Sequence, residues 1–322
     1  MIKIKKRRIL VTGSEGFLGR EVVRQLKLKC DNVLECSHKE YDLRESAHVR
    51  ELLLNTNPDC IVHCAATVGG IGDIKARPGQ MFYDNIQMGI TIMEQARQFG
   101  VLKVVNVGSS CLYPSDLEPP FKESDMWEGY PEETVSPYAM AKKMLLVMGK
   151  AYRKQYGFNS IYLIPTNLYG PSDNFDLETS HVVAALIRKF SEGKDVVEVW
   201  GTGTPSREFL HVEDCARAIV MATEKYDGDE PVNIGTGEET PMKVLVEMIR
   251  TYTKFKGTVV WNTSRPDGKP RCGLDVSRAW KEFRFKAKIP LEIGLMDTIR
   301  WYKENMDSGA KKDAKDTYSF QV

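Results

Sequence analysis

The chain has 322 residues, of which 42% are apolar, and it carries a formal net charge of +1. This length fits one large domain or two smaller ones, and the charge gives no reason to expect nucleic acid or an acidic membrane as a partner. We find neither a signal-peptide pattern nor an apolar run of membrane-spanning length, and the odd number of cysteines, 7, favours a reducing, cytoplasmic environment.

The first predicted element is a short buried strand, from Ile9 to Thr12, which is followed at once by a glycine-rich turn and a helix. The turn and the first helical residues read Gly13-Ser14-Glu15-Gly16-Phe17-Leu18-Gly19, and the helical stretch runs from about residue 20 to 28. Glycines let the backbone turn tightly and approach a pyrophosphate at the positive end of the helix. This arrangement predicts a dinucleotide site with ligands at Gly13, Gly16, Phe17, Leu18 and Gly19.

The end of the second predicted strand indicates which dinucleotide binds. In many such sites an acidic residue at this place binds the ribose hydroxyls of NAD, whereas here the strand ends in Ser37-His38-Lys39. A small hydroxyl followed by two basic side chains suits a 2′-phosphate and favours NADP(H). A shift of one residue would bring Glu35 near the ribose, so NAD stays the alternative. Asp42 and Leu43 are predicted to contact the adenine edge, with a helix N-cap as the alternative for Asp42.

Strand-like and helix-like patterns alternate along the first half. Strand candidates begin near residues 8, 32, 59, 103 and 159, with helices over 78–100 and 136–156 among them. This alternation predicts an α/β fold, a Rossmann-type doubly wound parallel sheet with a smaller C-terminal substrate-binding domain. We expect an NADP(H)-binding domain over 1–170 with a returning segment near 205–235, a sugar-nucleotide-binding domain over 171–307, and a mobile tail over 308–322.

Two predicted elements carry a possible catalytic set. Tyr138 and Lys142 lie four residues apart on a helix that we expect to start with Ser136 as N-cap and Pro137 as first residue. A nearby ammonium group should lower the pKa of the phenol from its usual value of about 10. Ser109, upstream, can hydrogen-bond the same substrate oxygen. Taken alone, Tyr-x-x-x-Lys is equally an ordinary helix pair, but the glycine turn favours a reductase.

The cysteines and histidines do not predict a metal site. Cys60 and Cys64 flank a predicted buried strand, and core packing explains them better than zinc binding. The 5 histidines show no metal-ligand spacing either.

Further segments, together with the glycine turn and the Ser-Tyr-Lys set, resemble the extended short-chain dehydrogenase/reductases, and among them the GDP-L-fucose synthases. The resemblance extends to about residue 305 and rests on the segments Ala65-Ala66-Thr67-Val68-Gly69-Gly70-Ile71, Gly108-Ser109-Ser110-Cys111-Leu112-Tyr113-Pro114, Pro165-Thr166-Asn167-Leu168-Tyr169-Gly170-Pro171, Asp173-Asn174-Phe175, Ser180-His181-Val182, Trp200-Gly201-Thr202-Gly203-Thr204-Pro205, Arg207-Glu208-Phe209-Leu210-His211-Val212 and Pro266-Asp267-Gly268-Lys269-Pro270-Arg271.

The chain departs from the family pattern at three places. The family's first turn often reads G-H-x-G-M-V-G, Lys189 stands where some members have Arg, and Cys272 replaces a Lys. These changes concern substrate binding more than chemistry, and they leave the sugar open.

The resemblance implies an NADPH-dependent 3,5-epimerase/4-reductase that converts GDP-4-keto-6-deoxymannose to GDP-L-fucose. It assigns the base and acid of epimerisation to Cys111 and His181, and it implies a homodimer that pairs through the helices over 78–100 and 136–156. On their own, Cys111 would be read as a small buried residue, His181 as a polar helix start and Trp200 as a core residue. The implied further cofactor contacts are Ala65, Ala66, Lys142, Pro165, Asn167, Leu168 and His181. The implied or candidate substrate contacts are Val68, Gly69, Gly70, Asn167, Lys189, Trp200, Arg207 and Arg271.

Several functions compete with this one. A related enzyme could reduce C4 without epimerisation, or act on a GDP-linked heptose or dideoxy sugar. A 4,6-dehydratase is less favoured, because those enzymes carry an acidic pair after the catalytic Ser or Thr, where this chain has Ser110-Cys111. A non-catalytic NADP(H)-binding regulator is disfavoured by the intact Ser109, Tyr138 and Lys142.

Overall fold

The structure is a computed structural model that describes residues 3–193, 195–265 and 267–307. The tail predicted over residues 308–322 lies outside the described residues. None of the helices in the described ranges is long and apolar enough to span a bilayer.

A six-stranded sheet organises the first part of the chain. Every pair of neighbouring strands in it is parallel. In spatial order the strands are β2 (Asn32–Cys36), β1 (Arg8–Thr12), β3 (Cys60–His63), β4 (Lys103–Val107), β5 (Ser160–Pro165) and β9 (Val232–Ile234). The predicted doubly wound, Rossmann-type parallel sheet is therefore confirmed, and its ligand is expected beyond the carboxyl ends of these strands.

Helices cover both faces of this sheet. Side chains alternate along each strand, so Ile9 and Val11 of β1 enter one core while Leu10 enters the other. The first core is closed by α1 (Phe17–Lys27), α7 (Val212–Lys225) and α9 (Ser277–Phe283). The second is closed by α2 (Ser46–Thr56), α4 (Pro78–Gln98) and α5 (Ser136–Tyr156), with a short α3 (Ile71–Ala76) before α4. Burial on both faces explains why the strands read as nearly continuous apolar runs.

A third core lies in the second part of the chain. Its helices are α6 (Val182–Glu192), α8 (Met242–Thr253) and α10 (Leu291–Asp307). They pack with a three-stranded sheet of β10 (Glu239–Pro241), β8 (Ser206–His211) and β6 (Asn167–Tyr169), and with the parallel pair β11 (Thr258–Asn262) and β7 (Val196–Trp200). The chain returns to the main sheet between them, because α7 packs on α1 and β9 pairs with β5.

The start of α5 lies within one residue of the predicted start at Pro137, but the predicted N-cap residue is wrong. The helix begins at Ser136, yet the N-cap position is held by Val135. The hydroxyl of Ser136 donates to the carbonyl of Glu133 at 2.9 Å instead. The segment before α5 already turns, so Ser136 enters the first helical turn rather than preceding it.

Candidate active site

The glycine turn after β1 is built on a close approach of two backbones. Gly13 has φ +66°, and a Cβ there would stand 2.8 Å from both N and Cα of Ala65. Only glycine combines this left-handed conformation with this contact. The amide of Gly16 closes the turn on the carbonyl of Gly13 at 3.0 Å, and α1 then starts at Phe17, a turn earlier than the sequence indicated. Leu18 and Gly19 follow in the first turn of α1, whose N-terminus receives no side-chain cap.

Ala65 connects this turn to α5, the helix that carries Tyr138 and Lys142. Its amide donates to the hydroxyl of Thr12 at 3.4 Å, and the same hydroxyl lies 2.8 Å from Nδ1 of His63. The carbonyl of Ala65 accepts from Nζ of Lys142 at 3.5 Å. The predicted cofactor contacts Ala65 and Lys142 are therefore in direct contact at the carboxyl ends of β1 and β3.

The end of β2 lies beside the glycine turn. The hydroxyl of Ser14 donates to the carbonyl of Cys36 at 3.1 Å, and Ser37 is the first residue beyond the strand. Nδ1 of His38 lies 3.3 Å from the carboxylate of Glu15 in the turn. The amide of Lys39 donates to the Ser37 hydroxyl at 3.3 Å, which folds this segment tightly against the strand end.

The alternative ribose ligand, Glu35, is engaged elsewhere. Its carboxylate forms an ion pair with Lys27 of α1 at 2.6 Å. Asp42 is also engaged, because Arg44 donates to its carboxylate at 2.7 Å. Asp42 does not cap a helix, since α2 begins only at Ser46, so that alternative is wrong. Leu43 is buried in the second core rather than exposed in the cleft.

Ser109, Cys111 and Tyr138 meet where β4 ends and α5 begins. Ser109 caps a 3-10 turn over Ser110–Leu112 by accepting from the amide of Cys111 at 3.2 Å. Cys111 faces Tyr138 closely enough that thiolate charge would raise the pKa of the phenol. Tyr138 and Lys142 are both buried on one face of α5. The structure therefore brings the predicted Ser-Tyr-Lys set together with Cys111.

The ionisation expected for Tyr138 is wrong in direction. Burial raises the pKa of the Tyr138 phenol above its ordinary value, and Lys142 is not among the groups that oppose this shift. Burial also lowers the pKa of Lys142 to about 8. Loss of water disfavours the charged form of each side chain, and here that cost exceeds any mutual stabilisation.

His181 occupies the N-cap position of α6, with its ring on the surface of the cleft. Protein atoms nevertheless surround the ring on enough sides to lower its pKa by desolvation. The amide of Gly70 donates to the carbonyl of Thr179 at 2.7 Å, and a Cβ on Gly70 would stand 2.7 Å from the Ser180 carbonyl. This close approach brings the predicted substrate loop of Val68, Gly69 and Gly70 beside His181.

Trp200 is an exposed surface residue, not a core residue, with 60% of its area open to solvent. The guanidinium carbon of Arg265 lies 4.9 Å from its ring centroid, and Nζ of Lys189 lies 6.0 Å from it. Lys189 also donates to the carbonyl of Glu198 at 3.1 Å. The predicted substrate residues Lys189 and Trp200 therefore form one platform with Arg265, which sequence reasoning missed.

The two arginines predicted to bind the diphosphate, Arg207 and Arg271, differ in whether a carboxylate already neutralises them. Arg207 is half-buried and donates to the carbonyl of Asp267 at 3.4 Å, while the carboxylate of Asp267 accepts from the amide of Thr202 at 2.6 Å. Arg271 instead forms an ion pair with Glu239 at 2.6 Å. Glu239 already offsets the charge of Arg271, so Arg207 is the stronger candidate for the diphosphate.

The remaining predicted contacts lie between the two parts of the chain. Pro165 ends β5, and Asn167 and Leu168 lie in β6, where the Asn167 amide donates to the Glu208 carbonyl at 2.9 Å. No role for Asp173 follows from the sequence, although the residue lies in the segment Asp173-Asn174-Phe175 that carries part of the family resemblance. Burial raises the pKa of Asp173 to about 7, so this carboxyl titrates near neutrality. No cluster of His, Cys, Asp and Glu within the described ranges could hold a metal ion.

Comparison with known proteins agrees with this geometry. The model of the NAD dependent epimerase/dehydratase family matches residues 9–235. A protein of Oryza sativa subsp. japonica named "Probable GDP-L-fucose synthase 1" is 41% identical over 310 residues, 94% of each chain. A GDP-6-OMe-4-keto-L-xylo-heptose reductase from C. jejuni has a TM-score of 0.88 at 28% identity, covering 95% of this chain and 99% of the other.

An NADP-bound GDP-L-fucose synthetase from Naegleria fowleri has a TM-score of 0.85 at 27% identity, covering 94% of this chain and 96% of the other. The resemblance that the sequence indicated is thereby confirmed. The chain belongs to the NAD dependent epimerase/dehydratase family, in the group of GDP-L-fucose synthases and their relatives.

Proposed function

We propose that this protein is an NADPH-dependent 3,5-epimerase/4-reductase that converts GDP-4-keto-6-deoxymannose to GDP-L-fucose. The observation that carries the proposal is the convergence of Ser109, Cys111 and Tyr138 at the carboxyl end of β4, with Lys142 bonded to the floor of the glycine turn. A carbonyl placed here meets two hydroxyl donors and a thiol base at once.

Epimerisation uses the acidity of the carbons next to the 4-keto group. The thiolate of Cys111 takes a proton from C3 or C5, the electron pair of that C–H bond forms the C=C bond of the enolate, and the carbonyl π pair moves onto the C4 oxygen. The hydroxyls of Ser109 and Tyr138 stabilise the enolate by hydrogen bonds. His181 supplies a proton to the opposite face, which inverts the carbon. Burial raises the pKa of the Cys111 thiol above its ordinary value of about 8.5 and lowers the pKa of His181 below its ordinary value of about 6.5, so neighbouring groups must stabilise the charged form of each when it acts.

Reduction follows at the same carbonyl. When bound, NADPH supplies the hydride that C4 receives. Tyr138 donates the proton to the C4 oxygen, and its raised pKa keeps the phenol protonated until then. Lys142, whose pKa lies at about 8, is buried one helical turn away and can return a proton to the phenolate.

The chain's own residues fit this cofactor. The close approach of Gly13 to Ala65 and the uncapped N-terminus of α1 form a cradle for a pyrophosphate. Beyond β2, Ser37, His38 and Lys39 place a hydroxyl and two basic side chains beside the glycine turn, where His38 lies next to Glu15. Glu35, the acidic alternative, is paired with Lys27. These features favour NADPH over NADH.

A 4-reductase that does not epimerise is the second candidate, because a GDP-linked 4-keto-heptose reductase shares the fold so closely. One experiment separates the two: incubation with GDP-4-keto-6-deoxymannose and NADPH in heavy water, with NMR of the product. The epimerase incorporates deuterium at C3 and C5, whereas a simple reductase oxidises NADPH without doing so.

Two variants make the assignment sharper. Cys111→Ser should abolish exchange at C3 and C5, since a serine hydroxyl is far too weak a base. Hydride transfer to C4 should survive in this variant and give an unepimerised sugar. His181→Asn should retain some proton removal but lose proton return to the other face. Normal exchange in Cys111→Ser would contradict the role given to the thiol.

The division of the chain into an NADP(H)-binding part over 1–170 with a return near 205–235 and a sugar-nucleotide-binding part over 171–307 is also our proposal. It is supported by the separate core beneath the two small sheets. We further propose a cytoplasmic location, since all 7 cysteines are free thiols.

We propose that two copies of the chain pair through α4 and α5. The outer surfaces of these helices expose large apolar side chains, which is costly in a monomer. They are Phe82, Tyr83, Ile90, Val147 and Tyr156. Light scattering should give the mass of a dimer, and Tyr83→Glu should shift it toward the monomer. A monomeric wild type at micromolar concentration would contradict this pairing.

A further inference from the structure

Lys269 lies in the second part of the chain, but its ammonium group reaches the loop over residues 108–114, which carries Cys111. Its ammonium group donates to the carbonyl of Pro114, three residues beyond Cys111, and lies 4.8 Å from the ring centroid of Phe121. The side chain is half-buried. The charge of Lys269 acts on the thiols of both Cys111 and Cys272.

The backbone near Lys269 is attached to the segment beyond this loop independently of the Lys269 side chain. The amide of Phe121 donates to the carbonyl of Gly273 at 2.9 Å, and the amide of Asp275 donates to the carbonyl of Phe121 at 2.8 Å. These bonds hold the segment that follows Lys269 against Phe121, which lies beyond the Cys111 loop in the chain. A substitution of the Lys269 side chain should therefore leave the segment in place.

We propose that Lys269 is a positioning residue for epimerisation, whose ammonium group stabilises the thiolate of Cys111 and holds the loop that carries it against the sugar. This role rests on the proposed function, in which Cys111 is the base. Lys269 keeps its proton throughout: Cys111 gains one from C3 or C5, the C–H electron pair forms the C=C bond of the enolate, and the carbonyl π pair passes to the C4 oxygen.

The other groups that face Cys111 do not replace this cation. Ser109 hydrogen-bonds the thiol, Tyr138 is a protonated phenol and Cys272 is a second thiol. Glu132 has the wrong charge and raises the pKa of Cys111. Burial raises that pKa further, and the bond from Ser109 and the charge of Lys269 lower it. Lys269 itself also faces Arg207, whose charge lowers its pKa, and Asp116, whose charge raises it.

The test measures the Cys111 thiolate without any substrate. The full-length protein is alkylated with iodoacetamide across a pH series, and the modified Cys111 peptide is quantified by mass spectrometry, which separates it from Cys272. An opposite charge within reach lowers a pKa by about one unit or more. In Lys269→Met the midpoint of the pH profile of Cys111 alkylation should rise by about 0.5–1 pH unit. At any pH below the midpoint, alkylation should then be about 3–10-fold slower than in the wild type.

Three further variants complete the design. Lys269→Arg keeps the charge and should restore the wild-type midpoint, while Lys281→Met removes an exposed lysine of α9 and should change nothing. Lys269→Gln repeats the neutral change should Lys269→Met fail to fold. A midpoint unchanged in a folded neutral variant overturns the proposal, and so does unfolding of both neutral variants, because the role would then be structural.

The same variants report on catalysis separately. In heavy water, the pH profile of C3 and C5 exchange should move upward in Lys269→Met by the same amount as the alkylation profile. A wild type that shows no exchange would refute the epimerase function, yet the alkylation profiles would still decide whether Lys269 stabilises the thiolate.

Discussion

Replacing Gly13 by alanine tests whether the close approach of two backbones creates the cofactor cradle. The added Cβ would stand 2.8 Å from N and Cα of Ala65 and 3.1 Å from the carbonyl carbon of Cys64. All of these are backbone atoms that cannot turn aside. The left-handed φ costs alanine about 1 kcal/mol, and overpacking of this kind adds about 1–3 kcal/mol. We therefore expect Gly13→Ala to lower the free energy of unfolding by about 2–4 kcal/mol.

Gly157 provides a matched control. It has the same φ of +66°, but a Cβ there meets nothing within 4 Å. Gly157→Ala should therefore cost only the conformational part, about 1 kcal/mol. At about 2–4 °C per kcal/mol, the melting temperature should fall by about 5–15 °C for Gly13→Ala and by about 2–4 °C for Gly157→Ala.

The cofactor separates the two variants further. A displaced Ala65 moves away from both the turn and Nζ of Lys142, so NADPH binding by Gly13→Ala should weaken by at least about tenfold. Gly157→Ala should bind normally. Calorimetric titration measures the affinity, and thermal melts measure stability. Equal melting temperatures and equal NADPH affinities for the two variants would refute the reasoning.

Three further predictions follow from the site. Tyr138→Phe should lower kcat for reduction by about 100-fold or more while NADPH binding stays intact, because the phenol acts mainly in the transition state; an unchanged turnover number would exclude it as the acid. Ser37→Asp should shift the ratio of kcat/KM toward NADH by repelling the 2′-phosphate, and steady-state kinetics with both cofactors will show whether it does. Asp173 has a folded-state pKa raised to about 7 from 3.8, so the folded protein binds the extra proton and wild-type stability should fall as pH rises between those values. Melting curves should show Asp173→Asn gaining on the wild type across that interval, and a constant difference would contradict the shift.

The sequence predicts the main sheet well because its pattern is set locally. Strands buried on both faces read as apolar runs, and the strand from residue 8 and the helix over 136–156 are observed at those positions. Capping was harder to predict, because it depends on how the preceding segment turns. Ser136 is a good N-cap residue by type, yet the chain before it is already curved and Val135 takes that position.

Pairs between distant segments were beyond sequence reasoning. Arg271 was expected at the diphosphate, but Glu239, 32 residues away in sequence, neutralises it. Lys269 belongs to the segment over residues 266–271 that carries part of the family resemblance, yet its contact with Pro114 spans 155 residues. Spacing along one helix reports neighbours on that helix only, so contacts made by docking the two parts of the chain leave no local signal.

The ionisation of Tyr138 and Lys142 shows how tertiary burial changes a conclusion drawn from spacing. When Tyr138 and Lys142 are considered only as a pair, the Lys142 ammonium group should favour the phenolate of Tyr138, which is the form that acts as a base. Burial acts on both groups and favours the neutral form of each, so it raises the pKa of Tyr138 and lowers that of Lys142 to about 8. A protonated phenol is the form that reduction requires, since a carbonyl that accepts a hydride must also receive a proton. Burial therefore favours the protonated phenol that reduction needs, and the proposed mechanism assigns proton abstraction to Cys111 instead.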